Sequence, residues 1–378
     1  MIEPQNAEPA GVTVRESRAR SGGPPATRYR VVDADALSQA ELARWLELRS
    51  ANPSLDSPYF HPGFVRAVAA GRPGVRVIVG ADRFGTIESL LPVQLAGGAC
   101  RPAGFPGADF QGPICEPGVD YDIRAAMDAA GASSYEFDHL IESAPGFEPW
   151  TFGSQESPYL DVTGGIDGYL QRASRSGKDK VAEARRLGRK AERDHGPVRL
   201  EVDSVSLELL DAVIALKRRQ YADTGARDHF AEPGHVELLR RLLAERDPDF
   251  GGLLSAVYSG PHLLAAHFGL RAGPVLHWWF PAYDPQFSRL SPGWILLAQM
   301  IDASPGLGLE RIDLGRGMDD YKRRAMTGHQ VVCQGAVIRN PLRRQAAAAR
   351  RGAIAAIKGS PAAPALRRAV HYARRRSS

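Results

Sequence analysis

The sequence has 378 residues, of which 43% are hydrophobic and 24% charged, a globular balance. One hydrophobic core rarely serves so long a chain, so we expect two domains, and no apolar run approaches the ~18 residues that would span a bilayer. Cys100, Cys115 and Cys333 are too scattered for a disulfide framework or a zinc site, which favours a reducing cytoplasm.

The net charge of +5 is unevenly distributed. Residues 342–378 contain ten Lys and Arg and no Asp or Glu, so the rest of the chain carries about −5. Because the basic character sits in a tail and not across a folded face, we expect no nucleic-acid partner. The tail is predicted either to lack fixed structure or to make a weak contact with the anionic surface of the inner membrane, which would place a cytoplasmic protein at that membrane.

The first half reads as a leader without fixed structure (1–30) followed by a domain over 31–156. Ser38 is a plausible N-cap for a helix over 36–50. Hydrophobic periodicity and turn residues predict the remaining elements: a helix at 62–70, a hairpin of 75–80 with 87–95, a Gly/Pro-rich loop at 97–118, a helix at 121–130, and further short segments at 136–143 and 149–152.

The second half, 157–340, is followed by the basic tail 341–378. It opens with a long polar helix over 166–194, whose basic residues form either a solvated arm or a contact for an anionic acceptor. The pattern then predicts a strand at 198–202, helices at 207–225 and 236–245, strands at 253–258, 263–270 and 275–280, a helix at 293–303, a strand at 309–314, a helix at 319–325 and a last strand at 331–338.

Three motifs between 278 and 322 carry the strongest chemical signal. They are an aromatic strand ending in Tyr-Asp, a Ser-Pro-Gly that opens a helix, and an Asp-x-Gly-x-Gly that is followed by Tyr-Lys. A loop that becomes a helix at Ser291, Pro292 and Gly293 offers unpaired N–H groups and a positive dipole end, which can hold a pyrophosphate. An ordinary capped helix start is the alternative.

This block resembles the CelD-like branch of the Gcn5-related N-acetyltransferase (GNAT) family, in which the same three motifs follow one another. Shorter matches lie upstream at 58–62, 91–92 and 112–113, so the resemblance covers roughly 40–340. It implies an α/β fold of two tandem GNAT-like domains, each a mixed, mainly antiparallel sheet flanked by helices, akin to the Fem-type aminoacyl transferases. It also implies an acyl-CoA co-substrate in place of a permanently bound cofactor. No motif in the sequence supports a metal site.

The resemblance implies transfer of an acyl group, with acetyl favoured, from acyl-CoA to an amine or hydroxyl of a sugar or polysaccharide precursor. Two alternatives stay open. One is a Fem-type transferase that takes aminoacyl groups from tRNA in cell-wall synthesis, and the other is a non-catalytic GNAT scaffold in polysaccharide biosynthesis.

Within that reading, Asp313, Lys322, Tyr321 and His267 are the predicted catalytic residues. Asp313 would accept or orient the acceptor proton, and Lys322 would stabilise an oxyanion or bind a donor phosphate. Tyr321 would donate a hydrogen bond to the acceptor or the leaving thiolate, and a histidine such as His267 titrates near neutrality as a base should. The alternatives are purely structural: Asp313 and Lys322 would form a pair that stabilises the fold, and His267 would be a histidine of the core.

The remaining predictions concern binding. Gly315 and Gly317 permit a tight turn and a close backbone approach to the donor. Trp279, Tyr283 and Asp284 are predicted to bind the substrate, since they end a strand where loops carry ligands. A turn that begins at Asp284 is the alternative for the last of these.

Overall fold

A computed structural model describes residues 27–346 of the chain. The predictions for most of the leader and for the tail beyond residue 346 lie outside the described residues. The described part is built on one mixed sheet with helices packed on both faces. The predicted fold class, a mainly antiparallel sheet flanked by helices, is confirmed.

The sheet has thirteen strands, most of them antiparallel to their neighbours. They are β1 (Arg28–Asp33), β2 (Val75–Ala81), β3 (Ile87–Ala96), β4 (Ala99–Pro102), β5 (Ile114–Cys115), β6 (Ser134–Ile141), β7 (Thr151–Asp161), β8 (Val198–Glu201), β9 (Phe250–Ser259), β10 (His262–Ala272), β11 (Val275–Tyr283), β12 (Arg311–Asp313) and β13 (Gly328–Ile338).

The described α-helices alternate with these strands along the chain. They are α1 (Gln39–Ala51), α2 (Pro62–Ala69), α3 (Ile123–Ala129), α4 (Gly165–Arg172), α5 (Arg175–His195), α6 (Leu207–Thr224), α7 (His235–Ala244), α8 (Pro292–Ala303) and α9 (Asp320–Ala325). None of the described helices is both long enough and apolar enough to cross a membrane.

The strand order joins the two halves of the chain into one sheet. It runs β1-β2-β3-β4-β6-β13-β7-β12-β11-β10-β9-β8, with β5 paired to β3. The last strand, β13, therefore lies between β6 and β7, and the predicted boundary at residue 156 falls inside β7. Whether the halves are separate domains stays a prediction, but their backbones share one hydrogen-bonded ladder.

Alternate residues of the second-half strands face two different hydrophobic cores. In β9, Leu254 and Ala256 join the core beneath α6 and α7, whereas Leu253 and Val257 join the core beneath α5 and α8. This period-two alternation follows from the pleat of a strand that is covered on both faces. The two helical layers cover both faces of the sheet beside the edge of β11, where the candidate site lies.

The polar helix predicted over 166–194 is two helices in the structure. The chain leaves helical geometry at Ala173, and the Ser174 hydroxyl accepts a hydrogen bond from the Gly177 N–H at 3.2 Å, which caps α5. Along α5, Val181, Ala184, Leu187 and Ala191 form one buried stripe. The basic residues occupy the remaining surface, so α5 is an amphipathic wall of the second half and not a detached arm.

Four strands were missed or shortened by the sequence prediction. No strand was assigned to Arg28–Asp33, although it contains the β-branched pair Val31 and Val32. The predicted loop at 97–118 contains β4 and β5, and β7 is much longer than the segment predicted at 149–152. These strands are short or polar, and long-range pairing defines them more than local pattern does.

Candidate active site

A cavity of about 520 Å³ opens where two parallel strands separate. β11 pairs with β12 only from Val275 to His277, because β12 ends at Asp313 while β11 continues to Tyr283. Beyond His277 this edge of β11 has no described strand beside it. Its backbone N–H and C=O groups therefore face the cavity, and backbone groups of this kind require partners.

The amino end of α8 forms one wall of the cavity. Ser291 occupies the N-cap position in a left-handed conformation with φ 50°, and its side chain makes no capping hydrogen bond. Pro292 has no N–H, and a Cβ added to Gly293 would meet no atom within 4 Å. All three residues line the cavity, so the helix presents an uncapped positive end to open space.

Two lysines line the same cavity. Lys322 of α9 is buried and donates from Nζ to the carbonyl oxygens of Gly315 and Arg316, both at 3.1 Å, and burial lowers its pKa. For Lys217 of α6, burial and then the charge of Lys322 lower the pKa to about 8. Lys217 donates a hydrogen bond from Nζ to Oε1 of Gln220 at 3.1 Å. Neither lysine has a salt-bridge partner among residues 27–346, so no carboxylate neutralises either charge at this wall of the cavity.

Asp109, in the loop between β4 and β5, reaches the cavity from the first half of the chain. Its Oδ2 lies 3.0 Å from Nε2 of His277, and its Oδ1 lies 3.3 Å from Nε2 of His139. Burial opposes ionisation of this carboxyl, but the His277 hydrogen bond and the neighbouring His139 and Lys322 outweigh burial and lower its pKa to about 2. Asp109 is therefore a partly exposed, ionised carboxylate within the site.

Sequence reasoning missed Asp109, because it lies in an irregular loop and its partner His277 is 168 residues away. The close contact depends on Gly315, whose φ is +74° and whose added Cβ would lie 2.6 Å from Oδ2 of Asp109. Gly317 also has a positive φ, but a Cβ there would meet no atom within 4 Å. The first glycine thus makes room for a side chain, whereas the second serves the chain path.

Asp313 lies beside the cavity and does not line it. Its side chain is 1% exposed and accepts a hydrogen bond from Nε of Arg311 at 2.8 Å, and Arg311 also pairs with Asp56 of the first half. Burial raises the pKa of Asp313, and Arg311 opposes that rise. The structure thus places Asp313 at the buried end of an acid-base-acid triad, and its catalytic role stays a prediction.

His267 is fully buried and stacks on Trp278, with 3.6 Å between ring centroids. Burial holds its pKa well below the usual range, so the ring is neutral. It does not line the cavity, and its Nδ1 lies 3.4 Å from the Ser255 hydroxyl. A direct catalytic contact of His267 therefore stays untested, and its visible role is to support the Trp278 ring.

The other predicted residues divide between the cavity and its margin. Tyr321, Trp279 and Tyr283 line the cavity, and burial raises the pKa of Tyr321, so its phenol stays protonated. Asp284 does not line it and accepts a hydrogen bond from the Gln286 N–H at 2.9 Å. Asp284 therefore begins a helical turn, which was the alternative reading for this residue.

Residues 178–323 match the family model described as an acetyltransferase (GNAT) domain. This segment is therefore similar to a GNAT-type acetyltransferase domain, and it includes α6, β11, α8 and most of α9, which surround the cavity. No curated protein matches the sequence.

Several solved structures share the fold. FemX is 11% identical with a TM-score of 0.54, and the alignment covers 80% of this chain and 97% of that chain. The C-terminal domain of a protein assigned as a lysylphosphatidylglycerol synthetase from Agrobacterium fabrum is 13% identical, with a TM-score of 0.50 and coverage of 81% and 94%. L-PGS from Bacillus licheniformis is 12% identical, with a TM-score of 0.50 and coverage of 80% and 92%. At these identities the likeness concerns the fold alone.

Proposed function

We propose that this protein transfers an acyl group from an acyl-CoA thioester to an amine or hydroxyl acceptor. The observation that carries the proposal is the position of the cavity. It lies where β11 and β12 separate, and the uncapped end of α8 and two lysines line it.

The donor would bind with its pyrophosphate at the α8 end. An anion there gains from the free N–H of Gly293 and from the helix dipole, and Lys217 and Lys322 add positive charge. The thioester would then extend along the open edge of β11, where backbone N–H groups can polarise its carbonyl.

The chemistry is a direct transfer. The acceptor nitrogen or oxygen attacks the carbonyl carbon and forms the new C–N or C–O bond, the C–S bond breaks, and the CoA thiolate takes up the proton that the acceptor loses. Tyr321 is suited to donate a hydrogen bond to the thiolate, because it lines the cavity with a protonated phenol. The three cysteines are free and buried, and none lines the cavity, so we assign no acyl-enzyme to them.

The acceptor class favoured by the CelD-like resemblance is a sugar or polysaccharide precursor, which the aromatic lining of Trp279 and Tyr283 would suit. We place the reaction in the cytoplasm, in keeping with the free cysteines. Asp313 would act from its buried position by orienting neighbouring groups.

An aminoacyl donor is the second candidate. FemX and the lysylphosphatidylglycerol synthetase domains share the fold, and the exposed surface of α5 carries many basic residues that a polyanionic donor could contact. Under this alternative a charged tRNA would bind, with an affinity that falls steeply as salt rises.

The test is calorimetric titration of the purified protein with CoA, acetyl-CoA and charged tRNA, together with mass spectrometry of acyl transfer to a panel of amines and sugars. Saturable CoA binding that is weakened in Lys217→Met, together with an acylated product, supports the proposal. Absence of CoA binding with salt-sensitive tRNA binding would replace it by the aminoacyl alternative. If neither ligand binds, the non-catalytic scaffold is the hypothesis that remains.

A further inference from the structure

Lys217 brings a primary amine from α6 into the candidate donor cavity. It is partly exposed and lines the cavity together with Trp278, Trp279 and Pro281 of β11. These three residues belong to the part of β11 that extends beyond its last pairing with β12, at His277. The proposed function places the donor thioester along this open edge, so the Lys217 amine would share the cavity with the thioester carbonyl.

Few contacts hold the Lys217 amine in place. Its Nζ donates one hydrogen bond, at 3.1 Å, to Oε1 of the exposed Gln220 on the same helix, and it lies 5.5 Å from the centroid of the Tyr221 ring. Lys322 differs, because it is buried and donates to two backbone carbonyl oxygens. A single hydrogen bond to an exposed amide costs little to exchange. Of these two lysines, Lys217 is therefore the one whose amine can turn towards a bound ligand.

The surroundings of Lys217 also favour its neutral form. Burial, and then the charge of Lys322, lower the pKa of Lys217 to about 8. At pH 7 roughly a tenth of the molecules then carry the unprotonated amine, against well under about a hundredth for a lysine with a pKa of ~10.4. The unprotonated amine is the nucleophilic form of lysine, and desolvation beside another cationic group is a known way to obtain it.

We propose that Lys217 is a self-acylation site, whose Nζ takes the acyl group of a bound acyl-CoA when no acceptor is present. Nζ attacks the carbonyl carbon and forms an amide C–N bond, the C–S bond breaks, and the thiolate takes up the proton that Nζ loses. The products are an Nε-acyl-lysine and free CoA, and no further reactant is needed. The identity of the donor rests on the proposed function, whereas the reactivity of the lysine towards thioesters does not.

Acylation of Lys217 would change the donor cavity itself. The amide carries no charge, so Lys322 would be the remaining lysine charge at this wall. Because hydrogen bonds to charged groups contribute strongly to anion binding, we expect the acylated protein to bind CoA at least about tenfold more weakly. Lys217→Gln, whose neutral amide resembles the acylated side chain, should show the same loss. The modification would thus restrain donor binding when the acceptor is scarce.

The test incubates the full chain with acetyl-CoA and no acceptor, and follows each lysine by peptide mass spectrometry. The exposed Lys178 of α5 serves as the internal reference. We expect acetylation of Lys217 to saturate with acetyl-CoA, to be slowed by excess CoA, and to be at least about tenfold faster than that of Lys178, since only Lys217 is held beside the donor. Lys217→Arg should lose this modification, whereas the matched variant Lys178→Arg should retain it.

A second probe, the acetyl thioester of N-acetylcysteamine, lacks the phosphates of CoA and separates lysine reactivity from donor binding. If the wild type binds CoA in calorimetry but acetyl-CoA modifies Lys217 no faster than Lys178, the proposal is overturned and the proposed function stands. Selective acetylation of Lys217 by the small thioester, without any CoA binding, would refute the proposed function and leave the reactive lysine standing. The absence of selective acetylation by either thioester would overturn the proposal. These measurements use the wild type, so they do not depend on the folding of a variant.

Discussion

The most direct probe of the α8 end is a single methyl group at Gly293. The position lies in the first turn of α8, and the added Cβ would meet no atom within 4 Å, so Gly293→Ala costs no packing. Alanine is favoured over glycine in a helix by about 1 kcal/mol, which in a chain of this size corresponds to a rise in Tm of roughly 1–3 °C.

The same methyl group would stand between the Gly293 N–H and a bound phosphate. A hydrogen bond to a charged group contributes about 1.5–3 kcal/mol, and its loss weakens donor binding about 10- to 150-fold at 1.4 kcal/mol per tenfold. We therefore expect Gly293→Ala to be slightly more stable than the wild type and much poorer at binding CoA.

The assay pairs thermal denaturation with calorimetric titration of CoA, and Gly188→Ala serves as the matched control. Gly188 lies within α5, and a Cβ there also meets no atom within 4 Å, so this variant should gain similar stability and keep full CoA affinity. If Gly293→Ala binds CoA as well as Gly188→Ala does, the α8 end is not the donor site.

Three further perturbations test the charges around the cavity. Lys217 has a pKa of about 8 in the folded protein, below the value of ~10.4 for an unfolded lysine, so folding penalises its charged form. The free energy of unfolding of the wild type should therefore rise between pH 8 and ~10.4. Lys217→Met should be more stable than the wild type at pH 7 and should lack this rise when both are followed by urea denaturation. Gly315→Ala should displace Asp109 and lower the free energy of unfolding more than Gly317→Ala does in chemical denaturation, because Gly317→Ala bears a similar backbone penalty without that clash. Asp313→Asn disturbs a buried ion pair and should lower the free energy of unfolding by about 3 kcal/mol or more in chemical denaturation; unchanged stability with lost turnover would instead favour the catalytic role.

Local signals predicted the helices and the hairpins well. Ser38 does cap α1, where its hydroxyl and Glu41 form a capping box, and α8 begins at Pro292 as its sequence indicates. The antiparallel series β9 to β11, followed by α8 and the strand β12, was also predicted, because its hydrophobic runs and glycine turns lie next to each other in the chain. The parallel pairing of β12 with β11 is seen only in the structure.

The features that depend on distant pairing could not be predicted from local pattern. The insertion of β13 between β6 and β7 pairs residues that are 169 or more positions apart in the sequence, and no local periodicity indicates it. Asp313 illustrates the same limit within the site. The motif showed that it ends a strand, but only the fold shows that its buried carboxylate pairs with Arg311, which also pairs with Asp56 of the first half.

The energetics of the cavity favour an enzyme over a scaffold. Lys322 is buried, and no carboxylate among the described residues lies within salt-bridge distance of it; Asp109 is ionised in the same cavity. Both features oppose folding unless hydrogen bonds compensate. In this fold carbonyl oxygens and histidines supply those bonds, and Gly315 accepts a left-handed conformation that leaves room for the carboxylate. A protein that only served as a platform would gain nothing from such an arrangement, since apolar residues of similar size would pack more favourably. Positioning two substrates requires charged groups with shifted pKa values in one cavity, and here such groups come from both halves of the chain.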